Sequence, residues 1–424
     1  MFFGGAFSRC PGQNPDSQAF GVAAIRVVRH RRRCNPGGWP RVRPDEGALP
    51  SRDDHRGVLL YSSAVSVFSA ATTQHRLLST TASGSDLTAS LIASLTALHE
   101  AATFTWAAVM AVDPQTLLPT SGVVEGFAPT ACGPFWDFEL AVSGYNKFTA
   151  LARSKDPVAT LYDATDGNLK LSPAFAQLFH ALGAADELRA VFTLRDTCWG
   201  IASLLRSVGD GPFPESEADA VRALCPVVGR VLHQATVRGN ARSGSRTAML
   251  VVDSDGDIVH VTAEARSLLD DMRAIQHVGV SAGKPLGVLT ALVARARSNC
   301  ASAQVSTRLR TTSGAWYRVT AAPTESGDGH VAVVIEPARG ADLLPMVLES
   351  YGLTAREIAI VGYLARGLPT GEIAAELHLS THTVRDHIKA VLHKCDARTR
   401  GELIARLFSE HLRPELEQSV HRTA

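Results

Sequence analysis

The sequence predicts a multidomain chain, two α+β units followed by an all-α unit of four helices. Three observations carry this. A length of 424 residues exceeds one ordinary domain and suits roughly two to four. Between Ser85 and Pro337, stretches of helical spacing alternate with β-prone runs bounded by Gly-, Asp- and Pro-containing turns. Beyond Gly352 the periodicity is helical, broken at Gly367-Leu-Pro369, at His378 to Ser380 and near Asp396.

Composition bounds the class. With 45% hydrophobic and 20% charged residues the chain can bury real cores. A formal net charge of +1 means that affinity for a polyanion must come from locally placed charge. Seven scattered cysteines, Cys10, Cys34, Cys132, Cys198, Cys225, Cys300 and Cys395, form no C-x-x-C pair. That usage fits a reducing cytoplasm, with the thiols as small core side chains. The apolar run VLLYSSAVSVFSAA, Val58 to Ala71, is shorter than the roughly 20 residues that span a bilayer and lies too far in for a signal peptide. The expectation is a cytoplasmic protein with no membrane partner.

Residues 1–82 are rich in Arg, Pro, Gly and Ser, carry RVVRHRRRC and show no sustained period. They read as a disordered or non-native extension, the alternative being a basic arm that grips phosphates. Next, SDLTASLIASLTALHEAATF places Leu87, Leu91, Ile92, Leu95 and Leu98 at helical spacing. A strand from Thr105 to Val112 follows, then a turn at Asp113-Pro114 and a β-prone segment around Val123. ELRAVFTLRD and CWGIASLLRS read as paired strands turning near Asp196 and Thr197, and Glu217 to Gln234 as a helix with Val221, Leu224, Val228, Val231 and Ala235 on one stripe. That stripe fits core packing at least as well as a dimer seam. Residues 83–238 resemble a GAF domain, through CWG and the PFPESEADAVRALCPVVGRVL helix.

A second unit begins at TAMLVVDSDGDIVHVTAEARSLL: strand, Asp253 to Gly256 turn, strand, and a helix starting after Thr262. Three β-prone runs come later, VSTRLRTT, AWYRVTAAP and HVAVVIEP. Residues 245–338 resemble a PAS domain, through Asp253, Gly256 and Ile258, with Thr262 where that family usually has Asn. Residues 339–350 read as a linker.

In LTAREIAIVGYLARG, Thr354 and Glu357 form a capping box and Gly367 stands at the C-cap. A short helix with Ile373, Ala374 and Leu377 inward follows Thr370, taken as its cap. His378 falls at a site for positive φ and Ser380 at an N-cap. Then Val384, Ile388, Val391, Leu392 and Cys395 make one helical stripe, while His382, Arg385, Asp386, Lys389 and His393 make the other. Two short helices joined by a tight turn, the second basic on its outer face, meet the needs of a helix-turn-helix. Arg385 suits bidentate pairing with guanine, and Lys389 and Lys394 suit phosphates. For that stripe alone, an ordinary solvated helix face is an equal alternative.

The order LTxRE, GLPTGEIAAEL, STHTVRDHI, DARTRGELIARLF closely resembles the LuxR-type DNA-binding domain over Gly352 to Phe408, within an expected domain 351–412 and tail 413–424. The resemblance implies base- and phosphate-facing roles for Arg385, Asp386 and Lys389, in a candidate DNA-binding set completed by Ser380, Thr381, His382, Thr383, His393, Lys394 and Arg400. It also implies a fourth helix, Glu402 to Leu407, of the kind often used for dimerisation. Asp386 among these cations either accepts from a cytosine amino group, repels phosphate, or restrains Arg385 or Lys389 in a local ion pair.

Signals of enzymatic chemistry fail one by one. His99-Glu100-Ala-Ala-Thr103 lacks the second histidine of a zinc-protease motif. GVSAGKP is one residue short of a phosphate loop and has Pro in place of Ser or Thr. His233 has no accompanying ATP-binding domain and reads as a surface histidine, and no G-x-S-x-G elbow or receiver domain is present. Trp106, Trp136 and Trp199 read as core before cavity lining. The expected function is therefore a non-enzymatic, sequence-specific transcription regulator without a resident cofactor. Its expected partners are double-stranded DNA and a second copy, with RNA polymerase and an unidentified small molecule as further candidates. Two alternatives stand beside it: a protein-interaction module resembling sigma-factor region four, and a GAF/PAS sensor holding haem, flavin or a nucleotide.

Overall fold

Apolar stripes that are too short to be helices in isolation acquire their structure here by packing on sheets. A computed structural model of the chain describes residues 70–82, 86–127, 132–238, 242–243, 246–273, 287–298, 304–311, 313–325 and 328–411. RVVRHRRRC, GVSAGKP, the tail 413–424 and all but the end of VLLYSSAVSVFSAA lie outside the described residues.

The first element, α1 (Ala70–Ala82), corrects the expectation of an unstructured 1–82 for its own thirteen residues. Leu77 is buried, Thr73 donates to Glu100 at 2.6 Å, and Gln74 donates to the Ala223 carbonyl at 3.0 Å. Its apolar side chains are few, so its stability comes from these tertiary neighbours. In α2 (Leu87–Ala101) the N-cap Asp86 accepts the Ala89 amide at 2.7 Å. Leu87, Leu91 and Leu98 are buried there while Ile92 faces out, 46% exposed.

Next come β1 (Trp106–Val112), β2 (Pro119–Glu125), α3 (Cys132–Ala141), α4 (Phe148–Leu151), β3 (Val158–Thr160), α5 (Leu161–Ala164), β4 (Ala184–Leu194), β5 (Thr197–Ser207) and α6 (Glu215–Arg238). The strands form one antiparallel sheet ordered β2-β1-β5-β4-β3. Leu194 pairs with Thr197 around Arg195 and Asp196, whose φ values of 51° and 64° give the double left-handed turn that matches strand twist. Val221, Leu224, Val228, Val231 and Ala235 of α6 are all buried in the core that contains Leu91, Leu188 and Trp199. The stripe is thus core packing, with α6 lying so close to the sheet that glycine is required: a Cβ on Gly229 would stand 2.5 Å from the Thr193 carbonyl oxygen.

The second unit holds β6 (Arg242–Ser243), β7 (Ala248–Val252), β8 (Ile258–Val261), α7 (Ala263–Arg273), α8 (Gly287–Ser298), β9 (Val305–Arg310), β10 (Ala315–Pro323) and β11 (Val331–Pro337). Its sheet runs β6-β10-β11-β7-β8 with β9 also on β10, antiparallel apart from the two-residue β6–β10 pairing. Asp253 makes the predicted turn by accepting the amides of Asp255 and Asp257 at 3.0 and 2.8 Å. The Thr262 hydroxyl accepts the amides of Met249 and Ala265 at 3.2 and 3.3 Å, tying β7 to the start of α7. Helix α8 inserts Leu289 and Leu292 into a cluster with Met110, Trp136 and Phe148 of the first unit, so the two sheets share a core.

The expected linker 339–350 is a helix, α9 (Gly340–Ser350), whose Asp342 carboxylate accepts the Arg339 amide at 2.8 Å. Leu343 and Met346 pack into the core of Trp316 and α6, whereas Leu348 belongs to the C-terminal core. That alternation explains the correction: a segment that buries side chains on both of its neighbours cannot be a solvated tether. The chain ends in α10 (Ala355–Ala365), α11 (Thr370–Leu377), α12 (Thr381–Lys394) and α13 (Arg400–His411), the four helices expected. No helix among the described residues is long and apolar enough to cross a membrane.

Candidate nucleic-acid interface

The C-terminal helices start and stop at caps that the sequence encodes. Thr354 donates its amide to Glu357 Oε2 at 2.7 Å and its Oγ1 accepts the Glu357 amide at 3.3 Å. At the far end of α10, Gly367 takes φ +80°. Helix α11 closes on His378 at φ 52°, ψ 45°, and its last carbonyls, Ala375 and Ala374, accept the amides of His378 and Leu379 at 3.2 and 2.9 Å. One residue on, Ser380 Oγ accepts the Thr383 amide at 3.0 Å and starts α12. The predicted cap Thr370 is instead the first helical residue of α11, behind Pro369, and its hydroxyl accepts from Arg400 at 2.8 Å.

Helix α12 divides as its spacing requires. Val384, Ile388, Val391 and Cys395 are buried with Ile360, Ile373, Leu403 and Leu407, and Leu392 is half-buried. On the other side Ser380, Thr381, His382, Arg385, Asp386, Lys389 and His393 are exposed, and Thr383 is half-buried. Arg385 and Lys389 have no ion-pair partner among the described residues. Asp386 is bound to neither of them: its Oδ2 lies 3.0 Å from His382 Nδ1, one turn earlier.

Two residues of the expected set are turned inward. Lys394 Nζ lies 2.7 Å from Glu357 Oε2 and 3.0 Å from the Gly352 carbonyl, and so locks the end of α12 to the start of α10. Burial would raise the Glu357 pKa, but the bonds from Lys394 and Thr354 outweigh it and hold the carboxyl below the usual range. Arg400, half-buried, spends a guanidinium nitrogen on Thr370. Neither link had a local signal in the sequence, since the partners are 37 and 30 residues apart. Equally unsignalled is the β4–β5 turn of the first unit, where Arg195 donates to the Tyr351 carbonyl at 3.4 Å, beside the Gly352 that Lys394 holds.

Upstream, one buried cation is shared between two carboxylates. Arg189 sits between the rings of Phe135 and Phe148, 5.5 and 4.9 Å from their centroids, and bonds Glu139 at 2.7 Å and Glu187 at 2.8 Å. Trp136 and Trp199 are buried core and Trp106 is half-buried. His99 pairs with Glu125 at 2.8 Å and stacks on Phe104. His233, expected at the surface, is half-buried, its ring centroid 4.7 Å from that of Trp199 in an edge-on contact. Burial pushes the thiols of Cys198 and Cys225 up to about 12 and that of Cys395 up to about 11, which disfavours the reactive thiolate.

Capped α11, left-handed His378, and α12 with one buried and one charged face together define a helix-turn-helix domain. Residues 351–407 are such a domain of the LuxR family: they match the family described as bacterial regulatory proteins, luxR family. The response regulator RamR of Streptomyces coelicolor is 42% identical over 52 residues, 12% of this chain and 26% of that protein, so the chain spans about a quarter of the relative's length. Among solved structures, the chain is similar to a Vibrio cholerae VqmA dimer solved in the absence of target DNA, with 16% identity, 38% of this chain and 81% of that one covered, and a TM-score of 0.19. Escherichia coli SdiA gives 12% identity, 81% and 98% coverage and a TM-score of 0.29.

Proposed function

We propose that the chain is a sequence-specific DNA-binding transcription regulator, non-enzymatic and cytoplasmic, in which α12 enters the major groove. The observation that carries this reading is the pairing of a sealed inner stripe, Val384, Ile388 and Val391, with Arg385 and Lys389 standing exposed and uncompensated on the other side. A cation that the protein has not neutralised internally is available to phosphate or to the O6 and N7 of guanine. Arg385 serves base readout, Lys389 and His393 the backbone, and Ser380, Thr381, His382 and Thr383 the groove at the helix start. Lys394 and Arg400 are assigned to holding α12 and α13 in place, because each already has a partner within the domain.

The upstream units, read as GAF-like over 83–238 and PAS-like over 245–338, sense a small molecule or hold a homodimer. A shared core and α9, which buries side chains toward both sides, support the transmission of a signal through 339–351. In competition binding with the full chain, Arg385→Ala relaxes sequence preference at a cost of about 1–3 kcal/mol, while Lys389→Ala weakens all duplexes alike. Unchanged binding in both variants would overturn the assignment of this face.

A further inference from the structure

Asp386 is a carboxylate on a face that otherwise presents Arg385, Lys389 and His393. Placed over a phosphate, it would repel; a charge retained there needs a donor on the nucleic acid to meet it. The structure supplies two facts about which way it faces. Its Oδ2 lies 3.0 Å from His382 Nδ1 across one helical turn, and the side chains of His382 and Asp386 are 84% and 55% exposed, so the pair stands clear of the domain. The contact engages one carboxylate oxygen and leaves Oδ1 as an acceptor. An acceptor on the outer face of a helix in a major groove matches the exocyclic amino group of cytosine, which neither Arg385 nor Lys389 can address.

We infer that His382 and Asp386 form one specificity element, in which Asp386 accepts from a cytosine amino group and His382 is the positioning residue that keeps the carboxylate turned toward the base. This rests on the reading that α12 lies in the major groove. The pair differs in kind from the Arg385 contact, since it selects for a donor on the base. It also gives His382 a role distinct from a phosphate contact: its removal changes which base is chosen more than how tightly any duplex is held.

Site selection from a randomised duplex pool, with the full chain and its variants, tests this. Asp386→Ala and His382→Ala are expected to lose preference at the same base pair of the half-site, each by about tenfold. The double variant is expected to lose no more than the larger single one, and His382→Gln, whose amide can still donate to Asp386, to recover part of the preference. Both residues are exposed, so the fold tolerates every variant. A His382→Ala profile unchanged at the position that Asp386→Ala alters, or losses at two separate positions, overturns the inference while leaving the DNA-binding reading intact. Selection of no sequence by the unaltered chain overturns both.

Discussion

Glu357 does two things with one carboxylate. Its Oε2 accepts the Thr354 amide that starts α10 and holds the Lys394 ammonium from the end of α12. The residue is 4% exposed, so its loss strands polar groups that water cannot fully recover. Glu357→Gln is expected to destabilise the domain by about 1–3 kcal/mol, read as a shift in denaturant midpoint. The sign of its pH dependence follows from its lowered pKa. The contribution is present above the ordinary carboxylate value of 4.5 and fades as pH falls through the lower folded value, so the gap between variant and wild type should close in acid. The T-x-x-E pattern announced only the cap; Lys394, with no sequence relation to Glu357, read as one more cation for DNA.

Helix α6 shows what an element asks of a single residue. Gly229 faces the Thr193 backbone at a distance no Cβ can occupy, and a carbonyl oxygen cannot rotate away as a side chain would. Gly229→Ala should therefore destabilise by about 1–3 kcal/mol. Gly362, within α10 with open space around its Cα, should gain about 0.5–1 kcal/mol on replacement by Ala; thermal unfolding of the two variants compares them directly. Elements with clean periodicity were legible in advance: α2, α6, α12 and the β4–β5 pair, down to the turn at Asp196. Helices α1, α8 and α9 were not, for separate reasons. Helix α1 has few apolar residues. In α8, Val288, Leu289, Ala291, Leu292, Val293, Ala294 and Ala296 are all buried, so no stripe contrasts with a polar face. Pro345 stands inside α9 and would by itself argue against a helix; the packing of Leu343, Met346 and Leu348 holds the segment helical without that amide.

Across the whole molecule, the charges that matter most join elements distant in sequence. Arg308 of β9 pairs with the buried Asp113 at 2.5 Å, reaches Gln115 at 3.2 Å and donates to the Asp342 carbonyl of α9. Glu349, near the other end of α9, lies beside the same group. Burial pushes its carboxyl up to about 7, with Asp113 adding to the rise and Gln115 and Arg308 opposing it. Because the folded state holds this proton more tightly than the unfolded chain, stability should fall as pH rises from 4.5 toward 7. Glu349→Gln should flatten that slope in pH-resolved denaturation. Arg308→Ala, which leaves Asp113 buried and unpaired, should cost about 3–5 kcal/mol. What positions α12 thus extends through Lys394 and Gly352 to α9 and the sheets it packs on. The proposed function puts duplex DNA on the outer face of α12, bound through uncompensated cations. Its most direct test is the dependence of the full chain's duplex affinity on salt. Affinity should fall linearly on logarithmic axes, and Lys389→Ala should reduce the slope by about one. A slope of zero, or one that Lys389→Ala leaves unchanged, would contradict it.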